Sequence, residues 1–377
     1  MNDIFFLNRD IKRLLTPDHI YLLKNKLNDL IASDYAKRIH PDLMKKINQL
    51  VNRQDMEFTP LTSEVGKTYS LFVSEDGHDS ICLILKVGYD DTSNSDNLKF
   101  FGSATAFKDN FLNCFGYVAK LIQKNLDEAY FYPDLIKKFE LKFLNPLNEP
   151  LSDLNLYGNS LEYPLCVAIF SALINEKIDI SIACSGNVDE NLKITFIDGA
   201  EEKIEAAIEE YPEIKKIVLP ADCKKLQLEK KYPQINIEYV SDLEEGIKVF
   251  FPNFKELLNT KDFFGKISFK DEVVELESGE KAVKISLNFN YSSDLQPEIL
   301  KYIDTPLKNI LNKYDKMSNR YFLLDNFKPT WFVPAMMKYF INKSNLVAVH
   351  YINTGKYIVV YEKYSNYSLG SSIEIKK

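Results

Sequence analysis

Apolar residues recur along this chain in two rhythms, and the points where one gives way to the other divide it. From Thr16-Pro17-Asp18, a cap with proline in the first turn, Ile20, Leu22, Leu23, Leu27 and Leu30 predict a helix, and a second helical stretch covers 34–51. Residues 80–87 read as a strand, 90–97 as a polar hairpin loop, 98–104 as a strand, 110–126 as a helix and 139–143 as a strand. Leu165, Val167, Ala168, Ile169, Phe170, Ala172, Leu173 and Ile174 then form a run apolar nearly all round, which predicts a helix buried on every side. Two β-branched alternating runs follow, 178–184 and 192–198, joined through a turn at Ser185-Gly186-Asn187. A helix over 200–210 places Ile204, Ala207 and Ile208 on one face.

From about residue 261 the pattern turns β-rich. It predicts strands at 266–269, 273–277 and 282–289, a helix over 297–314, a helix ending near Phe340, and strands at 346–351 and 357–361 around the turn Asn353-Thr354-Gly355-Lys356. The whole reads as an α/β and α+β multidomain chain: a helical segment at 1–60, an α/β unit at 61–255 and a second α/β unit at 261–377.

Composition changes this picture little. At 45% hydrophobic and 27% charged residues it is that of ordinary folded domains. No apolar run approaches the roughly 20 residues of a membrane span, and the first residues lack a basic-then-apolar leader, so a cytoplasmic protein is expected. Cys82, Cys114, Cys166, Cys184 and Cys223 lie mostly within apolar runs and read as buried free thiols. Charge is more informative. Residues 301–377 hold 12 Lys/Arg against five acids, a net of +7, which leaves −14 on the rest of a chain whose total is −7. A basic end on an acidic chain suits an anionic ligand, although a solvated face is an equally ordinary use of those charges.

Candidate chemistry gathers at residues 157–203. Ser160 opens the all-apolar helix, where free N–H groups and the positive dipole end favour developing negative charge. Such a serine is by default a helix cap. Lys203 falls in the first turn of the helix over 200–210, where the dipole disfavours an ammonium and burial lowers its pKa further. A neutral lysine beside a serine hydroxyl is a general base for nucleophilic attack. Gly66-Lys67-Thr68 is not the end of a phosphate loop, because the glycine required five residues earlier is Leu61. No ATP-dependent unfolding is therefore expected, nor any cofactor or metal.

The order Gly-x-Ser, buried helix, strand, Ser-Gly, strand, Gly-x-x-x-Lys, helix resembles the proteolytic domain of the Lon proteases, and the 43 residues separating Ser160 from Lys203 are that family's interval. The resemblance implies a Lon-like fold, a Ser160–Lys203 dyad, and Ser185 as the residue that hydrogen-bonds the lysine amine. The family's Asp-Gly-Pro-Ser-Ala-Gly reads Tyr157-Gly158-Asn159-Ser160-Leu161-Glu162 here.

The final third carries a second resemblance. Pro329-Thr330-Trp331, a helix, the strand containing Ala348-Val349, the strand Ile358-Val359-Val360 and Tyr367-Ser368-Leu369-Gly370 are similar to the small CRISPR-associated ring nucleases that bind and degrade cyclic tetra-adenylate. That family's active-site histidines and aspartate fall at Lys338, about Lys363 and about Ile352, so the likeness implies binding without cleavage. The ligand residues it implies are Lys328, Thr330, Trp331, Lys338, Asn353, Thr354 and Gly355, taken together, since each alone has an ordinary structural use.

Combined, the two resemblances imply a cyclic-oligoadenylate-controlled endopeptidase of type III CRISPR signalling. It would act as a homo-oligomer on a partner protein with an exposed site, without binding DNA or membrane. The competing expectation is a non-catalytic adaptor that keeps the Lon-like fold as a scaffold whose assembly the nucleotide controls.

Overall fold

The structure is a computed structural model and describes residues 62–73, 80–89, 98–144, 151, 158–211, 213–289, 297–327 and 332–376. The helices expected at 16–30 and 34–51 and the polar loop at 90–97 lie outside the described residues.

In chain order the elements that matter are β1 (Lys67–Val73), β2 (Ser80–Tyr89), β3 (Lys99–Phe101), α1 (Lys108–Asn125), β4 (Ala129–Phe131), β5 (Phe139–Leu144), α2 (Glu162–Ile174), β6 (Ile182–Cys184), β7 (Asn187–Val188), β8 (Ile194–Thr195), α3 (Ala200–Glu210), β9 (Lys216–Pro220), β10 (Asn236–Val240), α4 (Leu243–Phe250) and α5 (Phe254–Thr260). The C-terminal part adds β11 (Lys266–Glu275), β12 (Lys281–Phe289), α6 (Leu300–Lys313), β13 (Tyr321–Asp325), α7 (Phe332–Phe340), β14 (Leu346–Tyr351), β15 (Lys356–Glu362) and β16 (Ser372–Ile373).

Two mixed sheets result, so the chain is mixed α/β as its pattern predicts. The first runs β10-β9-β6-β1-β2-β5-β3 and the second β16-β15-β14-β13-β12-β11-β4. In the first, β10, β9, β6 and β1 are parallel, and β9, β6 and β1 are buried along almost their whole length, as strands covered on both faces are. All 13 residues of α2 are buried on one face of this sheet, and α3 packs on the other through Ile204 and Ala207. The left-handed Asn175 ends α2.

Gly66-Lys67-Thr68 has a structural use. Gly66, at φ +69, passes so close to β2 that a Cβ would sit 2.0 Å from the Val87 carbonyl oxygen. Lys67 is buried and paired with Glu64 at 2.9 Å. Burial raises the Glu64 pKa, but the Lys86 and Lys67 ammonium groups outweigh it and hold that carboxyl at about 2.

The Ser185-Gly186-Asn187 segment is not a turn joining two paired strands. β6 lies in the parallel interior between β1 and β9, because Ile182, Ala183 and Cys184 need apolar cover on both faces. The chain then leaves the sheet, and Asn187–Val188 pairs with Ile194–Thr195 in a separate ribbon. The strands predicted at 266–269 and 273–277 are one strand, β11, whose polar middle, with Lys270 and Glu272 exposed and Asp271 half-buried, stays paired with β12 rather than breaking.

The two sheets share a core. β4, which follows α1 within the first unit, pairs with β11 as the edge of the second sheet. The Phe264 N–H donates to the Leu173 carbonyl at the end of α2, and the Tyr132 N–H to Gly265, both at 2.8–2.9 Å. One continuous apolar cluster reaches from Phe72 to Val347. Residues 255–261 are thus where the chain passes between sheets that remain packed together.

Candidate nucleophile and base at the sheet edge

Ser160 sits in a tight 3₁₀ turn, Asn159–Leu161, that feeds α2. The helix proper begins at Glu162 with Leu161 in the cap position and no side-chain cap, so Ser160 does not serve as its N-cap. The turn is pinned to the segment leaving β6: the Ser160 carbonyl accepts from the Gly186 N–H at 3.1 Å and from the Ser185 hydroxyl at 3.4 Å. The Tyr163 N–H returns a bond to the Gly186 carbonyl at 3.0 Å. Ser185 is fully buried, and its own N–H donates to Val218 of β9 at 3.2 Å. Its hydroxyl therefore meets the serine's backbone, while its lone pairs remain acceptors for an amine.

Lys203 approaches from the opposite face of the sheet. Gly199, at φ +64 and packed so closely that a Cβ would lie 2.8 Å from a Val73 methyl, turns the chain into α3 at the end of β1. Lys203 follows in the first helical turn, its N–H bonded to the Gly199 carbonyl at 3.0 Å, and only 4% of it is exposed. Burial pushes its ammonium down from 10.5 to about 8, against the opposing pull of Asp198, Cys223 and Glu202. Among the described residues no hydrogen bond or ion pair engages the amine, so the desolvation is only partly offset, by charges that do not touch it. Ser160 and Ser185 lie beyond the end of β6, and Lys203 follows the turn at the end of β1. Since β1 and β6 are parallel neighbours, all three stand at the same, carboxyl-terminal edge of the sheet.

Pattern reasoning passed over Glu162, whose buried carboxylate accepts from the Val188 N–H at 2.9 Å and the Asn110 side-chain amide at 3.3 Å. The available signal was a lone charge at the head of an otherwise apolar helix.

The ligand residues expected in the second sheet are spread out. Lys328, Thr330 and Trp331 lie outside the described residues. Asn353, Thr354 and Gly355 form the exposed β14–β15 turn, with the Thr354 and Gly355 N–H groups on the Tyr351 carbonyl at 3.1 and 3.0 Å and the Asn353 amide on the Tyr351 hydroxyl at 3.2 Å. Lys338 is exposed in the last turn of α7, its ammonium 4.6 Å from the Tyr339 ring. Because α7 leads into the start of β14 and the turn follows its far end, a strand of six residues, roughly 20 Å, separates the two.

A polar row not foreseen from sequence crosses the face of this sheet away from α6 and α7. His350 Nδ1 lies 3.2 Å from Asp325, Lys284 lies 3.5 Å from the other Asp325 oxygen, and the His350 ring packs on Tyr357 at 5.1 Å. Asp325 ends β13 and His350 is next to last in β14, so the row stands at the carboxyl ends of parallel strands, the usual ligand position in open α/β sheets.

All five cysteines are buried free thiols. No helix among the described residues is long and apolar enough to cross a membrane. No protein-family model matches the chain, and no curated protein is significantly similar to it.

Proposed function

We propose that the chain is a Lon-like Ser-Lys endopeptidase, independent of ATP and controlled by a cyclic oligoadenylate, cyclic tetra-adenylate in particular, bound at the second sheet. The observation that carries the proposal is Lys203: a buried lysine at a helix start with its pKa lowered to about 8 costs stability and has no structural partner among the described residues.

In the competent state the neutral Lys203 amine takes the Ser160 proton as Oγ attacks the peptide carbonyl carbon. The oxyanion is held by backbone N–H groups of the turn around Ser160, since at the head of α2 the Tyr163 N–H goes to Gly186 and Pro164 has none. Collapse expels the amine leaving group, which takes the proton back from the Lys203 ammonium, and water then hydrolyses the acyl-serine with Lys203 again as base. Ser185 orients the amine. The substrate is a partner protein with an exposed segment, and the ligand acts on a homo-oligomer in the cytoplasm as part of type III CRISPR signalling. The +7 balance of residues 301–377 and the His350–Asp325–Lys284 row support placing the nucleotide there.

A second reading, a catalytically silent scaffold whose assembly the nucleotide controls, is favoured by Leu161 and Glu162 standing where the Lon-like pattern has small residues. The test is incubation of the full chain with candidate partner proteins, with and without cyclic tetra-adenylate. Ligand-dependent cleavage lost in both Ser160→Ala and Lys203→Ala supports the peptidase, whereas ligand-dependent assembly without cleavage supports the scaffold.

A further inference from the structure

We infer that Glu162 is a positioning residue of the Ser160 centre, its carboxylate clasping the strand Asn187–Val188 against the turn that carries the nucleophile; this rests on the proposed Ser-Lys reading. Two backbone bonds already join the Ser160 turn to Gly186, through the Ser160 carbonyl and the Tyr163 N–H. They leave the next residues of that strand to be placed. The Val188 N–H, which points back at α2 and away from the ribbon's own pairing, goes to Glu162 at 2.9 Å. The second carboxylate oxygen accepts from Asn110 at 3.3 Å, so one side chain ties α1, α2 and the β7 strand together beside Ser160.

The groups facing this carboxylate are Asn110, Cys114 and Tyr117 from α1, with Cys166 behind Cys114 on α2 and Asp189 beyond Tyr117 on the ribbon. None is a cation. Burial therefore raises the Glu162 pKa, and the Val188 and Asn110 bonds only partly oppose it. A buried carboxylate without a counter-charge weakens the fold at neutral pH, so stability does not account for its presence. What the charge supplies is a strong acceptor for a backbone N–H, which a protonated carboxyl supplies less well.

The clasp acts on positioning, so two readouts separate it from general structural support. Amide hydrogen exchange in the full chain reads the clasp itself: Glu162→Ala should speed exchange across residues 186–188 at least tenfold, while Glu162→Gln, which keeps a neutral acceptor oxygen, should fall between it and wild type. Equal protection in Glu162→Ala overturns the inference. Diisopropyl fluorophosphate, which transfers its phosphoryl group to Ser160 Oγ with loss of fluoride and a proton, reads the consequence. Wild-type labelling should fall with unit slope below the Lys203 pKa and more steeply where Glu162 protonates. Glu162→Gln should keep the unit slope throughout, and Glu162→Ala should label at least tenfold more slowly at pH 8. Wild-type rate and profile in Glu162→Ala would also overturn it. Absence of labelling in the wild type would instead count against the Ser160 reading, with the exchange measurement still deciding the clasp.

Discussion

Replacing Lys203 by methionine, a side chain of similar length and no charge, should stabilise the folded chain while removing its proposed general base. The folded pKa of about 8 lies about 2.5 below the ordinary 10.5, and at about 1.36 kcal/mol for each pKa unit the buried ammonium costs about 3 kcal/mol. The sign follows from proton binding. Between about 8 and 10.5 the unfolded chain holds the proton that the folded chain has released, so wild-type stability rises with pH through that window. Below about 8 the cost is fully present. Lys203→Met should therefore gain about 3 kcal/mol at pH 7, about 2 kcal/mol at pH 9 and less than about 0.5 kcal/mol at pH 10.5. With about 2.1 cal/mol/K of unfolding entropy per residue over 377 residues, the gain at pH 7 corresponds to about 4 °C in Tm. Thermal melts of both proteins from pH 7 to 10.5 measure it. A mutant that melts lower at pH 7, or a difference that does not shrink as pH rises, would mean that the ammonium is paired and would remove the physical basis for Lys203 as a base.

Three further outcomes follow from the packing and the polar row. Phe131→Ala truncates a buried ring of β4 that packs on Phe115 and Phe263; it should cost about 3–5 kcal/mol and, because the sheets share a core, lower a single unfolding transition rather than split it in calorimetry. Gly66→Ala forces a Cβ to 2.0 Å from the Val87 oxygen at a positive φ, so it should lower urea stability by more than the roughly 1 kcal/mol of an ordinary left-handed site. If the nucleotide binds at the carboxyl ends of β13 and β14, His350→Ala should weaken cyclic tetra-adenylate binding in calorimetric titration at least tenfold, about 1.4 kcal/mol, with melting unchanged; undiminished affinity would place the ligand elsewhere.

Strong local patterns made much of the fold legible. Leu346–Tyr351, an apolar β-branched run that starts with three buried residues and ends on an exposed tyrosine, has the ends its pattern predicts, and α2 declares itself by an apolar run with no polar face. What stayed hidden depends on partners distant in sequence. β1 begins Lys67-Thr68, with Ser70 two residues on, and looks polar, yet all three are buried because α2 and the neighbouring strands close over them. β4 is three residues long and exists because β11, more than a hundred residues later, supplies its ladder. At the candidate site, Ser160, Ser185 and Lys203 could be named from residue type and interval. The downward direction of the lysine pKa is likewise expected from its place in a helix start, whereas the Glu162 clasp is not, since it arises from which faces of which elements meet.

The most direct test of the Ser160–Lys203 account is the pH dependence of fluorophosphate modification at Ser160 in the full chain, compared with Lys203→Met. The account predicts a rate that rises with pH to a midpoint near 8 in the wild type and a slow, pH-independent rate in the mutant. Equal rates in the two proteins, or a wild-type profile with no midpoint near 8, would contradict it.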